Sequence, residues 1–459
     1  MKKSLLGTTA FVVASAVASG ASAQSLDDRI RTLEEAMLMG SPNNGFDVVV
    51  SGYAQGGVFV QDTDPDTIGE VIGYADATGM EDYAKFGVKM GGAEVRFSAN
   101  TWIYDRKLRL GGRVELSGFT TRDQVDETYI WLQSKFGRLI FGADDDVYNK
   151  MHYSVPFPSL NGVDSPNYRY TVATAVRPGT NSSLAGDANK VSYFTPRMSG
   201  FQFGISYTPH NGNRNGEQNG FGAYDLNNVS LENVLGVGTT FRGQFSGFWI
   251  GASAGWQSGD SNITHDPDGP DGVSYFPPGA TGILNENRPP VAIQTNPSNL
   301  HFGGSISKGS WKIGGAYAVY EGHGSPLSVN LGRPFSPTNP TLVDNYIDIS
   351  DRVRQIVWSI GVAYSTGPWT LGVGYLQSEG EGRYERPSAD GGLIFDTRLT
   401  LKEASPKTTV FGFGASYELA TGMTIAVDFA ATEDDNGFSG DDKAVVESVG
   451  GGLIIGINF

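Results

Sequence analysis

Three strings in this chain have residue types that do chemistry elsewhere. Gly251-Ala252-Ser253-Ala254-Gly255 matches G-x-S-x-G, in which a sharp strand-to-helix turn raises a nucleophilic serine. Here it lies between Trp249 and Trp256, in a stretch that alternates as a strand on both sides, so the turn is missing. A chain with 63 glycines produces such strings by chance. The five histidines, His152, His210, His265, His301 and His323, have no zinc-ligand spacing. Asp266 to Gly272, DPDGPDG, has the oxygens of a calcium loop but no distal bidentate Glu at the required spacing, and reads as a turn-rich loop. These strings predict no catalytic residue, no metal and no cofactor.

A fourth pattern is electrostatic. Asp144-Asp145-Asp146 opens a long segment, 144–187, carrying Tyr148, Met151, Tyr153, Pro156, Phe157 and Pro158, then Asp164 and Asn167. Just upstream, Arg96, Arg109 and Arg113 fall on one side of two extended segments, with Glu115 opposite Arg96. If the acidic segment folds inward and the arginines face it, the two make a transverse field that screens solutes by charge and size. The plain alternative is an exposed acidic loop with an Asx turn at its start.

Those residues need a scaffold, and the chain spells one out. In the last fourteen residues, VESVGGGLIIGINF, Val449, Leu453, Ile455, Ile457 and Phe459 alternate with small or polar residues, Ile454 excepted. That is the period of a strand with one apolar face. Leu108, Leu110, Val114 and Leu116 oppose Arg109, Arg113 and Glu115; Phe201, Phe203, Ile205 and Tyr207 oppose Gln202, Gly204 and Ser206. Strands pair across very short turns at Tyr104 to Lys107, Lys135-Phe136, Pro196 to Gly200, Gln244 to Gly247, Lys308 to Ser310, Thr366 to Pro368 and Leu419 to Gly422, with long polar loops between pairs. The tally is about sixteen strands, and short turns alternate with long loops throughout. A pair of soluble sandwiches would not keep that alternation. The expected fold is all-β, a transmembrane antiparallel barrel over 46–459. Trp311, Tyr364, Trp369 and Tyr417, near strand ends, suit aromatic girdles.

Residues 1–23 read as a secretory signal: Lys2 and Lys3, an apolar stretch from Leu5 to Ala18, and Ala21-Ser22-Ala23 as the cleavage site. Removing the signal takes away two lysines and no acid, so the formal net charge goes from −16 to −18. That balance excludes nucleic acid as a partner. Within 24–45, Leu26, Ile30, Leu33 and Met37 repeat as a short heptad seam. It is either a periplasmic clamp between copies or an amphipathic linker packed on its own barrel.

The chain resembles the Gram-negative general porins. Asp126 to Gly142, DETYIWLQSKFGRLIFG, is similar to their strand-turn-strand signature, and Asn189 to Pro209, NKVSYFTPRMSGFQFGISYTP, to a second hairpin. Tyr417 to Phe429 and the terminal Phe459 also match, and the likeness covers about 46–459. The resemblance implies a trimeric, water-filled outer-membrane channel for passive diffusion of ions and small hydrophilic solutes, whose third long loop, here 144–187, narrows the pore. A substrate-selective porin is the alternative; for a sugar, Tyr53, Phe59, Trp102 and Trp131 would form an aromatic slide. An outer-membrane enzyme or adhesin is the more distant one. The expected partners are two further copies, lipid and lipopolysaccharide, and the barrel-assembly machinery through Phe459. The acidic balance predicts a modest cation preference.

Overall fold

The computed structural model describes residues 47–63, 86–118, 125–158, 162–164, 179–211, 231–261, 296–321, 354–384, 402–405, 407–435 and 445–459. The signal at 1–23, the heptad residues Leu26, Ile30, Leu33 and Met37, the DPDGPDG loop, His265 and His323 lie outside them.

Each half-apolar segment can bury its backbone polar groups only by pairing on both sides, and in lipid that requires a closed sheet. The strands are β1 (Asp47–Thr63), β2 (Phe86–Ile103), β3 (Leu108–Ser117), β4 (Val125–Ser134), β5 (Gly137–Ala143), β6 (Asn189–Phe194), β7 (Phe201–His210), β8 (Leu231–Phe245), β9 (Phe248–Ser261), β10 (Ser298–Lys308), β11 (Trp311–Glu321), β12 (Arg354–Thr366), β13 (Trp369–Tyr384), β14 (Lys402–Ala404), β15 (Lys407–Ala420), β16 (Met423–Asp435) and β17 (Val445–Asn458). Each pairs antiparallel with its neighbour in sequence, save that β14 and β15 both pair with β13, and β1 pairs with β17 to close the ring. β14 and β15 share one register on β13, with Gly382 opposite Ala404 and Glu379 opposite Lys407. They are two pieces of one staff, so the barrel has sixteen strands.

The turns fall where the sequence puts them. Ser246 and Gly247 both have positive φ, at 49° and 79°. That left-handed pair matches the twist of a two-residue hairpin, which favours glycine at the second position. The apolar faces point outward: Phe201, Phe203, Ile205 and Tyr207 are all exposed, as are Val449, Leu453, Ile455 and Ile457. Trp311 meets Tyr364 at a tilt and Trp369 meets Tyr417 edge to face, both with ring centroids 4.7 Å apart, as cross-strand pairs beside short turns. Ile454, the exception in the last strand, points inward and is buried with Phe59 and Ala426. Phe459 is tied to β1: its N–H donates to Gly52 O at 3.0 Å, and Gly52 N–H donates to Phe459 O at 2.8 Å.

The inward loop and the wall it leaves open

The connection from Asp144 to Ala188 follows β5, and its described parts lie inside the barrel. Inward positions of β7 to β15 carry glycines, and the loop runs across them. A methyl at Gly303 would sit 1.9 Å from Tyr153 O, and one at Gly361 would sit 2.3 Å from Val155 Cγ1. At Gly303 loop backbone therefore lies on strand backbone, and at Gly361 a loop side chain takes the place a Cβ would need. Val147 and Met151 lie over Gly204 and Gly238 in the same way, and Val163 over Gly374 and Gly412.

Polar groups fasten the root. Asp146 caps the single-turn helix α1 (Val147–Lys150), its carboxylate accepting from Asn149 N at 2.8 Å. It also accepts from Ser183 Oγ at 3.0 Å and from Gln257 Nε2 on β9. Asp144 pairs with Lys150, while Lys190 Nζ donates to the carbonyls of Asp144, Gly186 and Ala188. Asp145 accepts from Asn149 Nδ2 at 2.9 Å and donates its N–H to Glu127 at 3.4 Å. Burial would lower the Lys150 ammonium, but Asp144 and Glu127 overturn this and hold it raised. Burial pushes the Asp145 carboxyl well up against the opposing pull of Lys150, and Glu127 and Asp187 add to the rise. Asp146 is also raised by burial.

Further along, Asp164 gathers the loop onto the wall. It accepts from Ser154 Oγ at 2.5 Å, Thr180 N at 2.7 Å, Thr180 Oγ1, and Ser359 Oγ of β12 at 2.9 Å. Tyr320 of β11 donates to Gly179 O at 2.5 Å and accepts from Ser182 N at 3.1 Å. Val163 is buried among Ala318, Tyr320, Val357, Leu376 and Val410.

The acidic residues named from sequence thus all lie in the loop, but Asp144 and Asp146 are fully buried. They do not form an acidic face toward the open lumen; their charge is taken up in anchoring the loop. The physical reason is that a loop laid against a wall leaves unpaired backbone N–H groups and lysines that need anionic partners.

The wall of β2 to β5 is different. Arg96 faces Glu115 in register, with Nε 3.0 Å from its carboxylate, and reaches Glu94 at 2.7 Å. Tyr53 OH donates to Glu94 at 2.7 Å. Arg113 donates to Ser98 Oγ at 3.1 Å and lies over Tyr129. Arg109 is buried, donates twice to Asn100 Oδ1, and sits between Trp102 and Trp131. Arg138 of β5 also lies over Trp131, 4.9 Å from its centroid. Ring and guanidinium alternate across four strands, which keeps the arginines extended along the wall. Of the aromatic slide, Phe59 and Trp131 are buried and offer no face to a passing solute.

Sequence reading missed Arg138, Lys150 and Lys190. Arg138 shares the inward parity of Arg109 across the ladder and could have been found by registering β4 with β5; the lysines carry no such signal. Among the described residues two sets of carboxylates are close enough to share a cation: Glu94, Glu115 and Asp126, and Glu127, Asp145 and Asp187. Arg96 borders the first, and Lys150 borders the second. The G-x-S-x-G string lies within β9, where Ser253 Oγ accepts from Tyr153 N at 3.0 Å under the loop.

A sixteen-strand closed barrel with a loop laid inside it fits a channel, and the family profile of the Gram-negative porins matches residues 8–437. The chain belongs to the Gram-negative porin family. This family consists of outer-membrane channels for passive diffusion, and the outer membrane is this barrel's location. Fold and family point to a channel rather than an enzyme. Among solved structures, the anion-selective porin from Comamonas acidovorans is 13% identical, with a TM-score of 0.52 covering 90% of this chain and 100% of that one. The channel DcaP of Acinetobacter baumannii is 12% identical, with a TM-score of 0.50 over 92% of this chain and 99% of that one. At such identity these likenesses concern the fold alone. An uncharacterised protein of Rickettsia bellii is 26% identical over 142 residues, 25% of this chain and 31% of that protein, so the chain spans about a third of that relative's length.

Proposed function

We propose that this porin is a general diffusion channel whose aperture is set by the loop 144–187 against the wall of β2 to β5. The carrying observation is the loop's placement over inward glycines, which leaves the arginine-lined wall as the free side of the lumen. No chemical step is involved: ions and small hydrophilic solutes move down their gradients. Asp144, Asp145, Asp146 and Asp164 act by holding the loop, and Arg96, Arg109 and Arg113 by lining the wall.

The channel prefers cations modestly. The burial of Asp144 and Asp146 moves the source of that preference to acidic residues elsewhere in the chain. Charges there are screened beyond about 10 Å at 0.1 M salt. Reversal potentials should therefore show cation preference that weakens from roughly 0.01 M to 1 M salt. Anion preference at the low end would overturn this reading.

The chain assembles as a homotrimer. Among the described residues of the strands β17 and β1 to β5 no Trp or Tyr faces outward, Tyr104 lying in the β2–β3 turn, and Val48, Val50, Val114, Leu116 and Ile130 are exposed instead. Interfacial aromatics mark lipid contact, so their absence along this arc suits contact with other copies. The seam Leu26, Ile30, Leu33 and Met37 adds a weaker clamp. Phe459 serves as the handle for the barrel-assembly machinery, and lipopolysaccharide contacts the acidic loops through divalent cations. Mass measurement of the detergent-extracted protein tests the trimer, and a stable monomer would refute it.

A further inference from the structure

Two histidines far apart in sequence meet where the loop rests on β9 and β10. His152 is in the loop and His301 faces inward from β10, and their ring centroids are 4.6 Å apart, edge to face. Tyr148 of α1 covers the other side of His301 at 4.3 Å. Gly255 of β9 makes the room: a methyl there would lie 2.6 Å from His301 Nε2. His301 is fully buried; its ring abuts the Met151 backbone, yet neither nitrogen makes a well-directed hydrogen bond. His152 Nε2 lies 3.2 Å from Thr180 Oγ1, and that hydroxyl donates onward to Asp164.

We propose that the His152–His301 pair is a proton-sensitive latch, whose protonation lifts the inward loop off the wall and narrows the lumen. This rests on the loop being the constriction. Two imidazoles in contact cannot both carry charge in a dry seat. The titratable groups facing the pair are Tyr148 and Asp146 on the α1 side, Asp164 beyond Thr180, and Tyr320 from β11. Asp164 already accepts from three residues and touches neither ring directly. Burial pushes the His152 imidazole down to about 3. A histidine whose seated value is depressed favours the seat while neutral and opposes it as the pH falls below its ordinary value of about 6.5. Two pH units below that, His152 alone shifts the balance toward release by up to about 100-fold. The wall blocks one side of the loop, so a released loop can only move into the lumen.

The full-length protein in planar bilayers supplies one readout. Its conductance should fall about two-fold between roughly pH 7.5 and 4.5. A second readout uses the absence of cysteine from the chain. Val163→Cys places one thiol in the buried contact beyond the latch, and its labelling by a soluble thiol reagent should speed up about ten-fold over the same pH range. The double variant His152→Gln, His301→Phe keeps a donor to Thr180 and a ring beside Tyr148 without either titrating group, and should blunt both changes. His152→Gln alone should blunt them in part, and serves if the double variant assembles poorly. Labelling that ignores pH, or accelerates equally without the histidines, overturns the latch. Histidine-dependent labelling at constant conductance upholds release, and the reading of the loop as the constriction then fails.

Discussion

The two halves of the lumen are built on opposite principles. From β2 to β5 several inward positions carry large side chains, and arginines alternate with Trp and Tyr across the strands. From β7 to β15 many of them are glycine where the loop passes, and there the space goes to a second layer of chain. On the first wall a half-buried side chain such as Arg113 is reached by water and acts by charge, while Arg109 is packed between rings. A residue on the second wall acts by absence, since one methyl displaces the loop. Substitutions should therefore alter conduction by different routes on the two sides.

The strongest test of that contrast is Gly303→Val. Its Cβ would fall 1.9 Å from Tyr153 O, so loop backbone must move by roughly an ångström or more. Single-channel conductance should drop severely, or assembled protein should be scarce in outer-membrane fractions. Wild-type conductance and yield would mean that the loop does not rest there.

Asp146→Ala comes next. It removes the α1 cap and leaves Gln257 and Ser183 without their acceptor, at a cost of about 1–3 kcal/mol for each buried donor. The barrel should persist with a noisier open channel. Quiet, native-like recordings would make the root redundant. Asp145→Ala should act more weakly, because removing a carboxyl raised by burial also relieves the Glu127–Asp145–Asp187 repulsion. The raised value makes the root tighten as pH falls and Asp145 takes up a proton, opposite in sign to His152. Asp145→Ala should remove that acid-side gain, which can be read as loop protection by amide exchange across the acid range.

On the open wall, Arg113→Ala should leave trimer yield unchanged and move the reversal potential further toward cations. Water solvates the vacated site, and a failure to assemble would make Arg113 structural. The smallest effect on conduction is expected from deleting Phe459, which is outward and tied to Gly52 away from both walls. Its deletion should lower the amount reaching the outer membrane, with normal conductance in the molecules that insert. An altered conductance would contradict its outward placement.

Much of this architecture is local in origin. Alternation with period 2 in segments such as Phe201–His210 tells each residue which face it takes, and two-residue turns such as Ser246-Gly247 set the register of their hairpins. Inside and outside were therefore legible, and with them the Arg96–Glu115 pair and the inward parity of Arg109 and Arg113. Glycine in a strand reads from sequence only as missing bulk. That Gly303, Gly361 and Gly374 form one track depends on the stagger between the four strands β10 to β13 and on what lies across them.

The loop's chemistry was least legible. Asp144, Asp145 and Asp146 look alike in sequence, yet the first pairs with Lys150, the second meets Glu127 and the third caps α1. His152 and His301 are brought together by closure of the ring and the inward course of the loop, and neither event leaves a mark within reach of either residue. The sequence by itself determined what repeats along the chain: strand faces, turn positions, the even strand count and the closing strand that ends on Phe459. The tertiary structure alone decided which carboxylates meet solvent and which anchor the loop. Charge in a strand is sorted by its parity, whereas charge in a long loop is sorted by the surface on which the loop comes to rest.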